Sequence, residues 1–244
     1  MTGKIYIVGT GPGSIEYLSL RAIDAIKNSE VIVGYKTYID LIQSLIGDKE
    51  VVSSGMRREV DRCQQVIDFA VEGKSVSLIS SGDPGVYGMA GILLEMVAKS
   101  NPHIEVEVVP GITSALSSAS LAGAPLMNDF CVISLSDLMT PWPIIEHRIN
   151  KASEGDFVLT IYNPKSKERV EQIEICAQTI MQHRSPQTPV AIIKNAMREK
   201  SVVTLTTLQE MCSCPIDMTT TLIIGNSQTY IANGKMITPR GYAI

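Results

Sequence analysis

Residues Val76 to Gly88 read VSLISSGDPGVYG, a short, mainly apolar run that passes directly into a turn of glycine, proline and aspartate. A run of this length bounded by turn residues reads as a buried strand, Val76 to Ser80. In the turn, Gly82, Gly85 and Gly88 let the backbone approach a ligand closely, while Pro84 stiffens it. Asp83 puts an acceptor at the mouth of the sheet. Taken alone, it is equally well an Asx-turn or a helix cap. The same grammar occurs on either side. Upstream, Ile5 to Val8 runs into GTGPGS (Gly9 to Ser14). Downstream, Ile104 to Val109 runs into PGITSALSSA (Pro110 to Ala119), where Thr113 and Ser114 stand at an expected helix start.

Between these strands the apolar spacing turns helical. Leu20, Ile23 and Ile26 mark one helix. Thr37 is expected to cap a second one carrying Leu41, Ile42, Leu45 and Ile46, closed by Gly47. Val60 to Val71 gives the longest helix of this half, ended by Gly73, and Gly91 to Lys99 gives a fourth. Val31 to Val33 and Val51 to Val52 supply further strands. Strands alternating with helices predict an α/β fold with a mainly parallel sheet, which binds ligands at the carboxyl ends of its strands.

LAGAPLMND (Leu121 to Asp129) breaks the periodicity, so the domains are expected at 1–122 and 123–244. The second half restarts with a strand at Phe130 to Leu135, the stiff TPWP turn and a helix from Ile144 to Lys151. Next come a strand from Phe157 to Tyr162 and a helix opened by NPKSKER and running to about His183. Val190 to Lys194, Val202 to Leu205 and Thr221 to Ile224 complete the strands. The prediction is two α/β domains with a cleft between them.

Composition narrows the function. Of 244 residues, 45% are apolar and 19% charged, which excludes a disordered or collagen-like chain. Twenty-one basic against 25 acidic residues give a net charge of -4, without the broad positive field of a nucleic-acid binder. Aromatic content of 5% with one tryptophan argues against base stacking. Cys63, Cys131, Cys176, Cys212 and Cys214 are too scattered for a disulfide scaffold and suit a reducing cytosol. No apolar run approaches the ~20 residues of a membrane helix, and MTGKIYIVGTGPG lacks the pattern of a signal peptide. A cytoplasmic protein is expected, with no membrane and no nucleic acid among its partners.

The motifs also exclude several chemistries. GTGPGS lacks the Gly-Lys-Ser/Thr ending of a Walker loop. Ser14 stands at the third glycine position of the dinucleotide fingerprint, and the second strand ends VIVGYK without an acid, which disfavours an oxidoreductase. Pro12 removes an N–H from the middle of the turn, so the loop keeps side chains out of a space more than it cradles phosphate. His103, His147 and His183 are isolated, and the Cys212-x-Cys214 pair has no second pair to answer it, so no metal site is expected. No G-x-S-x-G elbow is present. Lys165, Lys167 and Arg169 crowd an expected helix start, where positive charge opposes the dipole and hints at an anion site. Arg57, Arg58 and Arg62 form a second basic group.

Together VGTGPGS, SSGDPGVYG, VVPGITSA and GAPL, in that order, resemble the tetrapyrrole (corrin/porphyrin) methylase family. VGYKTY (Val33 to Tyr38), SLSDLMTPWP (Ser134 to Pro143), YNPKSKER, IIGNSQTY and MITPRGY extend the resemblance over essentially the whole chain. Within that family it is to the branch that methylates carbon 17 of precorrin-3B or cobalt-factor III, more to the cobalt-containing one.

The resemblance implies S-adenosylmethionine as methyl donor, usually in a homodimer. It also implies ring contraction that expels carbon 20 from the macrocycle. Donor contacts would fall on Pro12, Ser81, Gly82, Asp83, Val86, Thr113 and Ser114, with Asn163 and Ala196 in the second domain. Because the chain's net charge is negative, a polyacid substrate needs a local positive patch. Lys36, Arg57, Lys165, Arg169 and Arg240, near these turns, are expected to supply it, with Gly11 and Gly13 also in the substrate site. No side chain is assigned to the ring-contraction chemistry. Methylation at carbon 11 or 20, and a non-catalytic binding module, stay open on the sequence alone.

Overall fold

Ile5, Ile7 and Val8 are wholly buried because their strand, β1 (Lys4–Gly9), lies inside a sheet covered on both faces. The computed structural model describes residues 2–55, 58–101 and 103–243, so Arg57 lies outside the described residues. It divides into two compact units, Met1–Ser114 and Ala115–Ile244.

In the first unit β1 is followed by α1 (Leu20–Asn28), β2 (Val31–Tyr35), α2 (Lys36–Leu41) and α3 (Gln43–Ile46). Then come β3 (Glu50–Ser54), α4 (Glu59–Val71), β4 (Val76–Ser80), α5 (Ala90–Ser100) and β5 (Glu105–Val109). The five strands are all parallel, in the order β3-β2-β4-β1-β5. Alternate residues face opposite layers. Ile5, Ile7, Val31, Val33, Val76 and Leu78 cluster with Val66 and Ile67 of α4 and Leu93 of α5. Val8, Ile32, Ile79 and Val109 cluster with Ile26, Ile39 and Ile46 from α1 to α3. Burying each such side chain contributes roughly 1.5–3 kcal/mol, an upper bound because unfolded chains already hide some surface. Ser77, buried in β4, is satisfied by the Ser29 hydroxyl at 2.7 Å.

This strand order decides where the ligand loops meet. The chain moves outward from β1 to β2 and β3, then returns to β4 and crosses β1 to reach β5. The carboxyl ends of β4, β1 and β5 are therefore adjacent, although their turns lie about 30 to 100 residues apart in sequence.

The second unit contains α6 (Ser114–Ala122), whose first residue closes unit one, then β6 (Gly123–Ala124), β7 (Phe130–Ser134), α7 (Trp142–Glu154) and β8 (Val158–Tyr162). It continues with α8 (Gln172–Met181), β9 (Pro189–Lys194), β10 (Val202–Thr207), β11 (Thr220–Ile224), β12 (Tyr230–Ala232) and β13 (Lys235–Ile237). The expected boundary stretch Leu121 to Asp129 holds the end of α6 and all of β6. The main sheet runs β10-β9-β11-β8-β7, with β7 and β8 parallel and the other pairs antiparallel. One face packs on α7 and α8 through Ile145, Ile149, Ile173 and Ile180, the other on Ala119 and Ala122 of α6. The small sheet β12-β13-β6 has no counterpart in the sequence reading, because its strands are too short to show a period.

Three sequence expectations are corrected. Thr37 does not cap its helix: α2 starts two residues earlier than that cap implies, at Lys36 after Tyr35, and the helical run breaks at Ile42 into two short helices. Burial of Ile39, Ile42 and Ile46 in one cluster fixes that path. The TPWP segment is not all turn, since α7 begins at Trp142 and carries Pro143 in its first turn. Proline is tolerated there because that N–H has no helical partner. NPKSKER is not helical either. Residues 163–171 form a loop and α8 starts only at Gln172. Lys165, Lys167 and Arg169 therefore do not oppose a helix dipole.

Candidate active site

Three turns meet at the carboxyl edge of the first sheet. Thr10 donates its N–H to the Ser80 carbonyl at 2.9 Å. Gly11 and Gly82 then exchange both main-chain hydrogen bonds, at 3.1 and 2.8 Å, as an isolated bridge. The GTGPGS and SSGDPGVYG turns are thus stitched together beyond the end of the sheet. Gly82 holds φ at +65°, in the left-handed region that favours glycine.

The third turn packs so closely that a side chain cannot fit. A Cβ on Gly111 would overlap the Gly82 carbonyl oxygen and lie 2.8 Å from the Gly9 carbonyl. Asp83 braces the contact. One carboxylate oxygen accepts from the Gly85 N–H at 2.8 Å, closing an Asx-turn, and the other accepts from the Gly111 N–H at 3.1 Å. Asp83 thereby ties the second turn to the third. The three turns form one main-chain surface, in which Pro12 is buried and Ser81, Val86, Thr113 and Ser114 are half-buried. Beside them a cavity of about 290 Å³ is lined by Glu16, Tyr17, Leu18, Ser19, Pro110, Gly111 and Ile112.

The second unit assembles a comparable edge from side chains. β7, β8 and β9 all end on the same side of their sheet. Asn163, directly after β8, holds φ at +49° and donates from Nδ2 to the Ser134 hydroxyl at the end of β7, at 2.9 Å. Its carbonyl accepts from the Arg169 guanidinium at 2.7 Å. Arg169 is 8% exposed, and its main chain closes the loop on Ser166, accepting from the Ser166 N–H and donating to the Ser166 hydroxyl. Ala196 follows β9 between Asn195 and Met197, both with positive φ, and is half-buried. The Tyr162 hydroxyl accepts from the Ala115 N–H at 2.6 Å, fixing the start of α6.

The cationic candidates separate into different settings. Lys36 and Arg240 are exposed, and Lys36 lies 3.4 Å from Asp40. Lys165 is half-buried and Lys167 exposed on the 163–171 loop, whereas Arg169 is turned inward. Ser134 and Tyr162 escaped the sequence reading. Ser134 is 29 residues from Asn163, and no local pattern announces a pair at that range.

No group of three or more histidine, cysteine, aspartate or glutamate side chains able to hold a metal occurs among the described residues. Burial pushes the Cys212 thiol above its ordinary value, and Cys63 to about 11, so neither is a ready thiolate. No described helix is long and apolar enough to cross a membrane.

Residues 4–212 match the family of Tetrapyrrole (Corrin/Porphyrin) Methylases. The chain is 50% identical to the probable cobalt-factor III C(17)-methyltransferase of Salmonella typhimurium, over 98% of this chain and 99% of that one. It is 48% identical to the cobalt-factor III methyltransferase of Priestia megaterium, a longer protein of which it spans 46%. Identity to the precorrin-3B C(17)-methyltransferase of Sinorhizobium is 36%, over 100% of this chain and 98% of that one. Among solved structures, the methyltransferase CobJ superposes with a TM-score of 0.91 at 31% identity, covering 98% of this chain and 100% of that one. The Thermus thermophilus uroporphyrin-III C-methyltransferase complexed with S-adenosylhomocysteine shares the fold, with a TM-score of 0.70 at 24% identity over 91% and 97% of the two chains. The glycine turns knitted at one sheet edge and this match over most of the sequence agree: the chain belongs to the tetrapyrrole (corrin/porphyrin) methylase family.

Proposed function

We propose that this chain transfers the methyl group of S-adenosylmethionine to carbon 17 of cobalt-factor III, with accompanying ring contraction, in cobalamin biosynthesis. Greater identity to the cobalt-factor III relative than to the precorrin-3B one, 50% against 36%, favours the cobalt-containing substrate. The observation that carries the reading is the main-chain surface where Gly9, Gly82 and Gly111 meet, braced by Asp83.

The residues present fit a sulfonium nucleoside. Methyl transfer breaks the carbon–sulfur bond, leaves its electron pair on sulfur and forms a carbon–carbon bond, so positive charge disappears from sulfur. The protein's task is to align donor and acceptor in a near-attack geometry and exclude competitors. Turns built of backbone do this without placing a nucleophile near the methyl carbon. Both Asp83 oxygens are occupied by backbone N–H groups, which supports a role in shaping the donor site and not as a general base.

Pro12, Ser81, Gly82, Asp83, Val86, Thr113 and Ser114 are our proposed donor contacts in the first unit, and Asn163 and Ala196 in the second. Lys36, Lys165 and Arg240 are proposed to face the substrate's acetate and propionate groups, where charge-assisted hydrogen bonds are strong, with Gly11 and Gly13 also contacting the substrate. Arg169, first expected among them, has its guanidinium on the Asn163 carbonyl, so we assign it the indirect role of holding that loop. A cytoplasmic homodimer completes the proposal, on the strength of the family resemblance. The test is incubation with labelled donor and cobalt-factor III, followed by product mass and carbon NMR. Label at carbon 17 is expected; label at carbon 11 or 20, or none, overturns the assignment.

A further inference from the structure

We propose that Leu138 and Met139 form an apolar contact for the flat face of the macrocycle, an inference that rests on the function proposed above. Met139 is 94% exposed and Leu138 67% exposed, side by side on the loop that leaves β7. Two neighbouring large apolar side chains left in water carry a free-energy cost that a ligand can remove. The loop itself is held. The Ser136 N–H donates to the Ser134 hydroxyl at 3.2 Å, and α7 begins at Trp142 with Pro143 in its first turn.

This loop and the 163–171 loop leave the adjacent parallel strands β7 and β8 at the same edge of the sheet. At the base, Leu135 continues the strand pairing by donating to the Tyr162 carbonyl at 2.9 Å, and Asn163 bonds Ser134 at 2.9 Å. Farther out, the Gln172 side chain reaches Asp137 at 3.4 Å. The apolar pair and the lysines Lys165 and Lys167 thus stand on neighbouring loops of one sheet edge. A planar, apolar ring rimmed with carboxylates has the complementary distribution: its face for Leu138 and Met139, its rim for the lysines. That complementarity commits the patch to the tetrapyrrole substrate and not to an apolar protein partner.

The experiment compares wild type with the Leu138→Ser/Met139→Ser double variant and with the conservative Leu138→Met/Met139→Leu pair. Cobalt-factor III is titrated by its absorbance change, and S-adenosylhomocysteine is titrated separately by calorimetry. The double serine variant is expected to weaken macrocycle binding by about tenfold or more, with nucleoside affinity within twofold and KM raised more than kcat is lowered. The conservative pair is expected to bind like wild type. Macrocycle affinity within twofold of wild type in the serine variant overturns the proposal. So does a halving of its mass in sedimentation, which would place the patch between copies of the chain. Wild type that binds the nucleoside but no macrocycle fails the functional reading itself, and the inference with it.

Discussion

The two carboxyl edges, one in each unit, are built by opposite means. In the first, β1, β4 and β5 end in turns whose backbones touch, and the structural device is the absence of side chains at Gly9 and Gly111 together with the left-handed φ of Gly82. In the second, the Asn163 side chain bonds Ser134 of the neighbouring strand end, and Arg169 closes the Asn163 loop on itself through a side-chain hydrogen bond. A parallel sheet with both faces covered leaves its strand ends close enough for main chain to meet main chain. The linked loops of the second sheet also follow adjacent parallel strands, β7 and β8, but there the Asn163 side chain makes the join, to the Ser134 hydroxyl. The lesson is that a backbone-built edge resists any added atom, whereas a side-chain-built edge is sensitive to lost ones.

That contrast can be broken most sharply at Gly111. Gly111→Ala is expected to destabilise the protein by about 3 kcal/mol, because the new methyl meets backbone on two sides and cannot relax through a rotamer. Chemical denaturation measures it, and S-adenosylhomocysteine binding should be lost with it. A variant of wild-type stability would show that the turns are looser than their contacts indicate. In the other unit the damage should come from deletion. Arg169→Ala removes a charged donor from the Asn163 carbonyl and is expected to cost about 2 kcal/mol. Arg169→Lys should not restore it, since an ammonium on a different stem does not reproduce the guanidinium fork. Recovery in the lysine variant would reduce the residue to a simple charge.

Asp83→Asn sharpens the comparison from within the backbone-built edge. One amide hydrogen-bonding arm must face an N–H that the carboxylate accepted, so a loss of about 1–2 kcal/mol is expected. Nucleoside affinity and turnover should fall together. Full affinity with abolished turnover would instead make Asp83 a participant in the chemistry.

The smallest expected effect is on acid stability, where two carboxylates, one from each unit, are held far below their ordinary values. The Arg21 guanidinium and then Lys4 hold the Glu107 carboxyl down at about 2, against an ordinary 4.5. Burial tends to raise Asp217, but bonds from Lys194, Thr219 and Thr220 outweigh it and bring that carboxyl to about 2 as well, against 3.8. A depressed folded-state value stabilises the fold above the unfolded value and loses that contribution as pH falls toward 2. Glu107→Gln and Asp217→Asn should therefore each flatten the decline of melting temperature below about pH 4.5 and 3.8 respectively. Both groups are partly solvent-exposed, so the change should be small. A decline unaltered in both variants would assign acid sensitivity to other groups.

Much of the architecture was legible along the chain. The apolar runs at Ile5 to Val8 and Val76 to Ser80 announced buried strands because local pattern and tertiary burial coincide there. The glycine turns announced themselves because few other residues allow such backbone approach. The loop at 163–171 was misread as helix: its charged residues look solvated in sequence, yet Arg169 is buried by a carbonyl six positions away. Leu138 and Met139 gave no signal either, since only the fold decides whether an apolar residue finds a neighbour.

What the sequence determined by itself was the alternation of strands and helices, the glycine turns after β1, β4 and β5, and the family they resemble. These depend on local period and on the conformational range of single residues. Only the tertiary structure decided that these turns meet, since adjacency follows from the crossing of β5 over β1. It also decided that Asp83 braces Gly111 and that Arg169 serves Asn163. Those bonds join residues whose partnership is set by sheet order and burial, quantities that no window along the chain contains.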